Sequence, residues 1–284
     1  MFIYSDIDPI ALQIGPLAIR WYGLMYLIGF IGGWSLGRKR AREWGYPFKV
    51  EQIDDLLFYI AMGVILGGRI GYMFFYGWAN VVNDPLSILR IWEGGMSFHG
   101  GLLGVIVSMW LLSRKLGCSV FRVTDFIAPF VTVGLGAGRV GNFLNGELWG
   151  SPTDFSLAFI VNGVPVHASN LYEAVLEGPV LFVILWLYSA LRPPVMAVSG
   201  MFLLCYGLFR FGIEFVRAPD AHIGYLAFDW LTMGQVLSTP MVLFGTLFIV
   251  LSYKRSESSL MPKTARQGKS KNTVNVIKSK QRKR

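Results

Sequence analysis

MGQVLSTPMVLFGTLFIVLSY, residues Met233 to Tyr253, runs 21 residues without a charge and stops at Lys254 and Arg255. A hydrocarbon core about 30 Å thick needs about 20 mainly apolar residues in a helix, so this stretch is long enough to cross it. Working outward, six more stretches have the same character: Ala18–Gly37, Leu56–Tyr76, Ser97–Ser113, Val123–Phe143, Leu171–Leu191 and Ser199–Phe215. The expectation is an all-α membrane protein with seven transmembrane helices. Val123–Phe143 is the weakest of them, because Asp125 and Pro129 sit near its start.

Composition agrees. Of 284 residues 54% are hydrophobic and only 15% charged, with a mean hydropathy of +0.50. A soluble chain of this length would carry more charge. The net charge of +9 raises the question of nucleic acid. The basic residues, however, sit in loops and a tail between apolar runs, which is the pattern of membrane topology. No nucleic-acid partner is expected. Cys118 and Cys205 are far apart and form no metal-ligand spacing, and the three histidines contain no i,i+4 pair. Neither a disulfide framework nor a structural zinc is implied. Met1 to Pro9 is acidic and lacks Lys and Arg, which argues against a cleaved signal peptide.

Orientation follows from where Lys and Arg fall. Arg38, Lys39, Arg40, Arg42 and Lys49 follow the first span; Arg114, Lys115 and Arg122 follow the third; Arg192 follows the fifth. Eleven more lie after Tyr253, so 20 of 26 fall on one side, and none lies between Val140 and Leu191. This predicts the N-terminus outside and the C-terminus inside. Residues 1–253 then form the membrane domain, with an outer insert at about 144–170. Residues 254–284 form a basic tail, expected to be disordered and to meet anionic lipid. In the insert, Asn162-Gly163 between apolar runs signals a β-hairpin. The segment Gly77 to Met96 predicts a short surface helix with Trp78 and Trp92 at the interface. Glycines repeat every four residues at Gly29, Gly33 and Gly37, at Gly63, Gly67 and Gly71, and at Gly134 and Gly138. They read as close helix packing and nothing more.

Polar residues mark the candidate site. A cation at the bilayer centre costs about 2.5–3.5 kcal/mol on insertion scales. Arg69, Arg139 and Arg210 each lie past the middle of an outward-running span. His99 opens the inward-running third span, and Glu147, Glu173 and Glu214 lie on that same outer side. Tyr206, Arg210, Glu214 and Arg217 are spaced four, four and three, which puts them on one helix face. An internal ion ladder is the structural alternative, but polar pairs add little stability in membranes. Arg139 and Asn142 share a face before Asn145, Gly146, Glu147 and Gly150, where the glycines open the helix for an anion to approach backbone N–H groups. His99, between paired glycines, is a candidate base or orienting group. His167 and His222 read as solvated or structural.

These segments together resemble the prolipoprotein diacylglyceryl transferase family. Gly138 to Gly150 is similar to its signature, Phe98-His99-Gly100-Gly101 to its histidine segment, and Tyr206 to Arg210 and Glu214 to Asp220 to its sixth-span motif. Thr232 to Ser238 resembles the start of its last span, and the likeness runs from about Leu12 to Tyr253. The resemblance implies a multi-pass enzyme of the bacterial cytoplasmic (inner) membrane, active toward the periplasmic side, with no cofactor. It would move the diacylglyceryl group of phosphatidylglycerol onto the lipobox cysteine of a prolipoprotein and release glycerol 1-phosphate. It implies His99, Arg139 and Arg210 as catalytic residues. Tyr26, Asn142, Asn145, Glu147, Gly150, Tyr206 and Glu214 would join Arg139 in shaping the headgroup pocket. After His167 the family usually reads Pro, Ser or Thr, Gln; here Ala168-Ser169-Asn170 stands, so no role carries over to Asn170. A transporter or channel for an anionic solute explains intramembrane arginines equally well, but it favours internal repeats, and no convincing one stands in this sequence. A structural scaffold leaves the polar groups without a purpose.

Overall fold

A computed structural model of the chain describes residues 1–15, 17–45, 48–219 and 224–255. His222, Asp220 and the basic tail from residue 256 onward lie outside the described residues.

The chain is mostly helical, with several long apolar helices of the kind a multi-pass membrane protein uses. The long helices are α1 (Trp21–Trp44), α2 (Gln52–Phe75), α4 (Phe98–Lys115), α5 (Val120–Leu144), α8 (Ala197–Ile213) and α9 (Met233–Lys254). A seventh helical run is made of α6 (Ser169–Val175), a π-helical turn (Leu176–Val180) and α7 (Leu181–Ala190). Short α3 (Trp78–Asn83) and two 3₁₀ turns fill the segment expected to hold a surface helix, and Trp78 and Trp92 are exposed there. Among the described residues four runs are long and apolar enough to cross a membrane: Gln52–Phe75, Val120–Leu144, Ser169–Ala190 and Met233–Lys254. Leu66, Ile70 and Phe74 on α2, and Leu243 and Leu247 on α9, turn outward. Such faces are stable against lipid and costly in water.

The helices pair through glycine as the spacing predicts, except at Gly138, where an added Cβ would meet open space. α2 packs on α4, where a Cβ at Gly63 would stand 2.7 Å from the Gly104 carbonyl oxygen and one at Gly71 would stand 2.7 Å from Gly100 Cα. α1 packs on α5, where a Cβ at Gly29 would sit 2.8 Å from Gly134 Cα. α8 packs on α9 through Gly200 and Gly245. α5 is central and touches α1, α4, α6, α7 and α8. Asp125, the residue that weakens its sequence signal, is buried and accepts from the N–H of Met196 (2.6 Å), the N–H of Ser199 (2.8 Å) and the Ser199 hydroxyl (2.6 Å). It caps the otherwise unsatisfied start of α8.

Two expectations need correction. The first predicted span starts too early, because Ala18–Arg20 belong to strand β3 (Leu17–Arg20). That strand pairs antiparallel with β2 (Ile10–Ile14) in a hairpin turned at Gly15 (φ 57°). The helix then runs on to Trp44, and Arg40, counted above as a loop charge, is buried beneath Trp186 (4.0 Å), Trp44 (4.3 Å) and Phe130 (5.2 Å).

The Asn162-Gly163 hairpin forms as predicted between β4 (Phe159–Val161) and β5 (Val164–Val166). Both turn residues have positive φ (51° and 81°), the type I′ pattern that suits a twisted hairpin. β1 (Phe2–Ile3) adds a parallel strand to β4, which the sequence reading missed because two residues carry no periodicity. This small sheet marks the head end of the bundle, where α2, α5 and α8 finish and α4, α6 and α9 begin.

Candidate active site

Six charged side chains from three helical runs meet at the head end. Arg139 comes from the last turns of α5, Glu173 and Glu177 from α6 and its π turn, and Arg210, Glu214 and Arg217 from the end of α8 and beyond. Arg139 Nη1 lies 2.8 Å from Glu173 Oε2, and its Nε lies 3.0 Å from Glu177 Oε2. Glu173 Oε1 takes both Arg210 Nη1 (2.7 Å) and Arg217 Nη1 (3.2 Å). Arg210 Nη2 also pairs with Glu214 Oε1 at 2.5 Å, and Arg217 Nε approaches that oxygen at 3.7 Å. The Thr232 hydroxyl donates to Glu214 Oε2 (2.6 Å).

Local sequence explains the meeting. Glu173 and Glu177 are four residues apart and fall on one face. The π turn contains Gly178 with non-helical ψ (−107°) and Pro179, and Gly178 lies against Gly136 of α5. Single π turns in a helix are often found at functional sites. The predicted run Tyr206, Arg210, Glu214, Arg217 holds its spacing beyond the end of α8, where Arg217 N–H still donates to Ile213 (3.0 Å). Tyr206 lies within electrostatic reach of Arg139, Arg210, Glu173 and Glu177.

Exposure divides this cluster by sign. The arginine side chains keep 19% (Arg139), 16% (Arg210) and 11% (Arg217) of their surface, whereas Glu173, Glu177 and Glu214 keep 0%, 1% and 5%. The carboxylates form the back of the site and the guanidinium edges its open face. A cavity of about 140 Å³ lined by Arg210, Glu214, Arg217, Thr232, Gly234 and Leu237 opens beside it. Gly234 is small for a reason: a Cβ there would run into the Glu214 carboxylate.

The signature residues form a second layer. Asn142 and Asn145 donate to the two oxygens of Glu147 at 3.3 and 3.4 Å. Asn170, fully buried, donates to the Glu147 carbonyl (2.9 Å), and Ser169 to that of Leu148 (2.8 Å). The segment that departs from the family pattern thus clamps the signature loop. Gly150 donates its N–H to His167 (2.8 Å) and bridges Arg217, and a Cβ on it would stand 2.7 Å from that of His167. Its part is to let the loop lie against the Arg217 backbone. His167 Nδ1 lies 3.4 Å from the Tyr172 hydroxyl, and its backbone N–H donates to Ser151 (3.1 Å). Tyr22 lies within electrostatic reach of Arg139 and Glu147, and Tyr26 packs its ring against Tyr22 at 5.1 Å.

Two predicted members stand apart. Arg69 is buried and donates to the carbonyls of Ser87 (2.6 Å), Ile88 (3.1 Å) and Gly94, so it fastens the surface segment after α2. His99, exposed in the first turn of α4, stacks edge-on with Phe98 (5.7 Å) and makes no hydrogen bond or ion pair to the cluster. Sequence reasoning missed Glu177 and Thr232. The cost of an acidic residue in a span would have flagged Glu177. The Thr232 to Gln235 spacing is a capping box, which forms here.

The prolipoprotein diacylglyceryl transferase family model matches residues 9–251. The chain belongs to that family. It is a diacylglyceryl transferase of a bacterial membrane family. It is similar to the phosphatidylglycerol–prolipoprotein diacylglyceryl transferase of Oleidesulfovibrio alaskensis, 54% identical over 264 residues, covering 92% of this chain and 99% of that one. The enzyme of the same name from Ectopseudomonas mendocina is 54% identical over 259 residues (90% and 97%). That of Methylococcus capsulatus is 53% identical over 259 residues (90% and 99%).

Proposed function

We propose that the enzyme transfers the diacylglyceryl group of phosphatidylglycerol to a prolipoprotein cysteine at the guanidinium face of this cluster. The observation that carries the reading is the division of exposure: arginine edges are open and their carboxylate partners are buried. In the reaction the cysteine sulfur attacks the diacylglycerol carbon bonded to the phosphate oxygen. A C–S bond forms, the C–O bond breaks, and its electron pair stays on glycerol 1-phosphate. Negative charge therefore grows on the phosphate in the transition state. Arginine forks match phosphate oxygens two at a time, and fixed cations in a water-poor site stabilise that charge. Arg139 and Arg210 take this role, with Tyr26, Asn142, Asn145, Glu147, Gly150, Tyr206 and Glu214 shaping the headgroup pocket directly or through the loop they hold.

The thiol must lose its proton, because an ordinary cysteine with a pKa near 8.5 is mostly neutral at pH 7. His99 is the candidate acceptor. Its support is an exposed imidazole at the head end, without a hydrogen-bond partner among the described residues. The head end faces the periplasm in a seven-span arrangement with the N-terminus outside and the C-terminus inside. The Lys and Arg distribution supports that topology, as it supports a cytoplasmic position for residues 254–284. Residues 1–253 act as one catalytic unit with 144–170 as its periplasmic insert.

The test is to incubate the full chain in phosphatidylglycerol vesicles with a lipobox peptide. A diacylglyceryl mass gain on the peptide cysteine is expected, and none on a Cys→Ser peptide. Anion uptake into the vesicles without that gain would instead favour a transporter.

A further inference from the structure

The resting cluster is electrically closed. Three guanidinium groups face three carboxylates, and each arginine pairs with at least one of them. A phosphate that enters must find its cations held in place by something that does not leave with it. Glu173 differs from the other two carboxylates in this respect. Its side chain is fully buried, and it is the one that touches all three arginines. One oxygen is shared by Arg210 and Arg217, and the other faces Arg139. The Arg139 contact is short but misaligned for a hydrogen bond, so it is chiefly an ion pair. Glu214, by contrast, lines the cavity and has the Thr232 hydroxyl as a second partner.

We infer that Glu173 is the positioning residue of the active site. It fixes the spacing of the Arg139, Arg210 and Arg217 guanidinium groups behind the substrate phosphate, while Glu214 is the carboxylate that yields when the phosphate arrives. Three considerations support this. Glu173 sits on α6, held from behind by the buried Asn170 and Ser169 contacts to the signature loop. Its side chain has no water-exposed surface to turn toward. A triple-shared carboxylate also cancels repulsion between guanidinium groups that would otherwise push them apart. The inference rests on the reading above that this cluster binds the phosphate.

The experiment is steady-state transfer by full-length Glu173→Gln and Glu173→Asp enzymes, measured by peptide mass against phosphatidylglycerol concentration. Glutamine keeps the shape and removes the charge. A mispositioned group costs on the order of 100-fold in rate, so kcat should fall about 100-fold while KM for phosphatidylglycerol stays within about threefold. Aspartate keeps the charge one methylene short and should recover part of the lost kcat. It also keeps the question open to test if the glutamine enzyme does not fold. Wild-type kcat in either folded variant would overturn the positioning role. So would a KM rise that accounts for the whole loss, because Glu173 would then serve binding alone. Arg139→Ala and Arg210→Ala enzymes are run in parallel. Wild-type transfer in both would mean that the phosphate reading itself has failed, whatever Glu173 does.

Discussion

Arg69 and Arg210 carry the same sequence signal and meet opposite fates. Each is an arginine past the middle of an apolar run that ends at the head of the bundle. Arg69 spends its donors on backbone carbonyls of the segment it fastens, and its side chain is buried. Arg210 spends them on Glu173 and Glu214 and keeps an open edge beside a cavity. A carbonyl belongs to the chain and cannot be exchanged for a ligand without undoing a loop. A side-chain carboxylate can give way to another anion. The difference between a structural and a functional arginine in this bundle is therefore its partner and its exposure, not its cost of burial. Arg40 marks a third case, a guanidinium under three aromatic rings with no hydrogen-bond partner among the described residues.

Substitutions at these positions should separate the three cases. The largest effect belongs to the site: Arg210→Ala or Arg139→Ala should lower kcat by about 10²–10³-fold, the usual loss when one charge-stabilising donor is removed. The loss should stand in kcat per folded molecule, beyond any fall in melting temperature caused by leaving the buried Glu173, Glu177 or Glu214 short of a partner. Arg69→Ala should reverse the ratio. Several carbonyls lose their donor, at about 1–3 kcal/mol for an unsatisfied buried group. A clear drop in melting temperature is expected, with kcat per folded molecule within about threefold of the parent. Arg40→Met should do least. A buried cation without hydrogen bonds is replaced by an apolar chain of similar length, so stability should stay within about 1 kcal/mol and transfer should be unchanged. A strong loss of transfer in Arg69→Ala at unchanged stability would break the comparison.

The main lines of the fold were legible because lipid imposes a strict code: long apolar runs, basic loops and small residues at contacts. Every predicted span holds a helix, and Gly63, Gly67 and Gly71 pack where their spacing put them. The β2–β3 hairpin was not legible, because Ala18–Arg20 is apolar enough to extend the helix signal and only the pairing with Leu12 and Gln13 decides otherwise. At the site, Arg139 and Arg210 were readable from their depth in the spans, and Tyr206 and Glu214 from their spacing on one helix face with Arg210. Glu173 was flagged by depth too, but its central place depends on how α6 packs against α5 and α8, which no spacing rule reveals. Asn170 was passed over because its segment departs from the family pattern, yet its shorter amide reaches the Glu147 carbonyl from a buried position.

The most direct test is the position of the lipid phosphate. A structure of the full chain in phosphatidylglycerol nanodiscs should show headgroup oxygens about 3 Å from the Arg139 and Arg210 guanidinium nitrogens, with Glu173 still in contact with both arginines. Both arginines still paired only to Glu173, Glu177 and Glu214, with the headgroup ordered elsewhere on the bundle, would contradict the account.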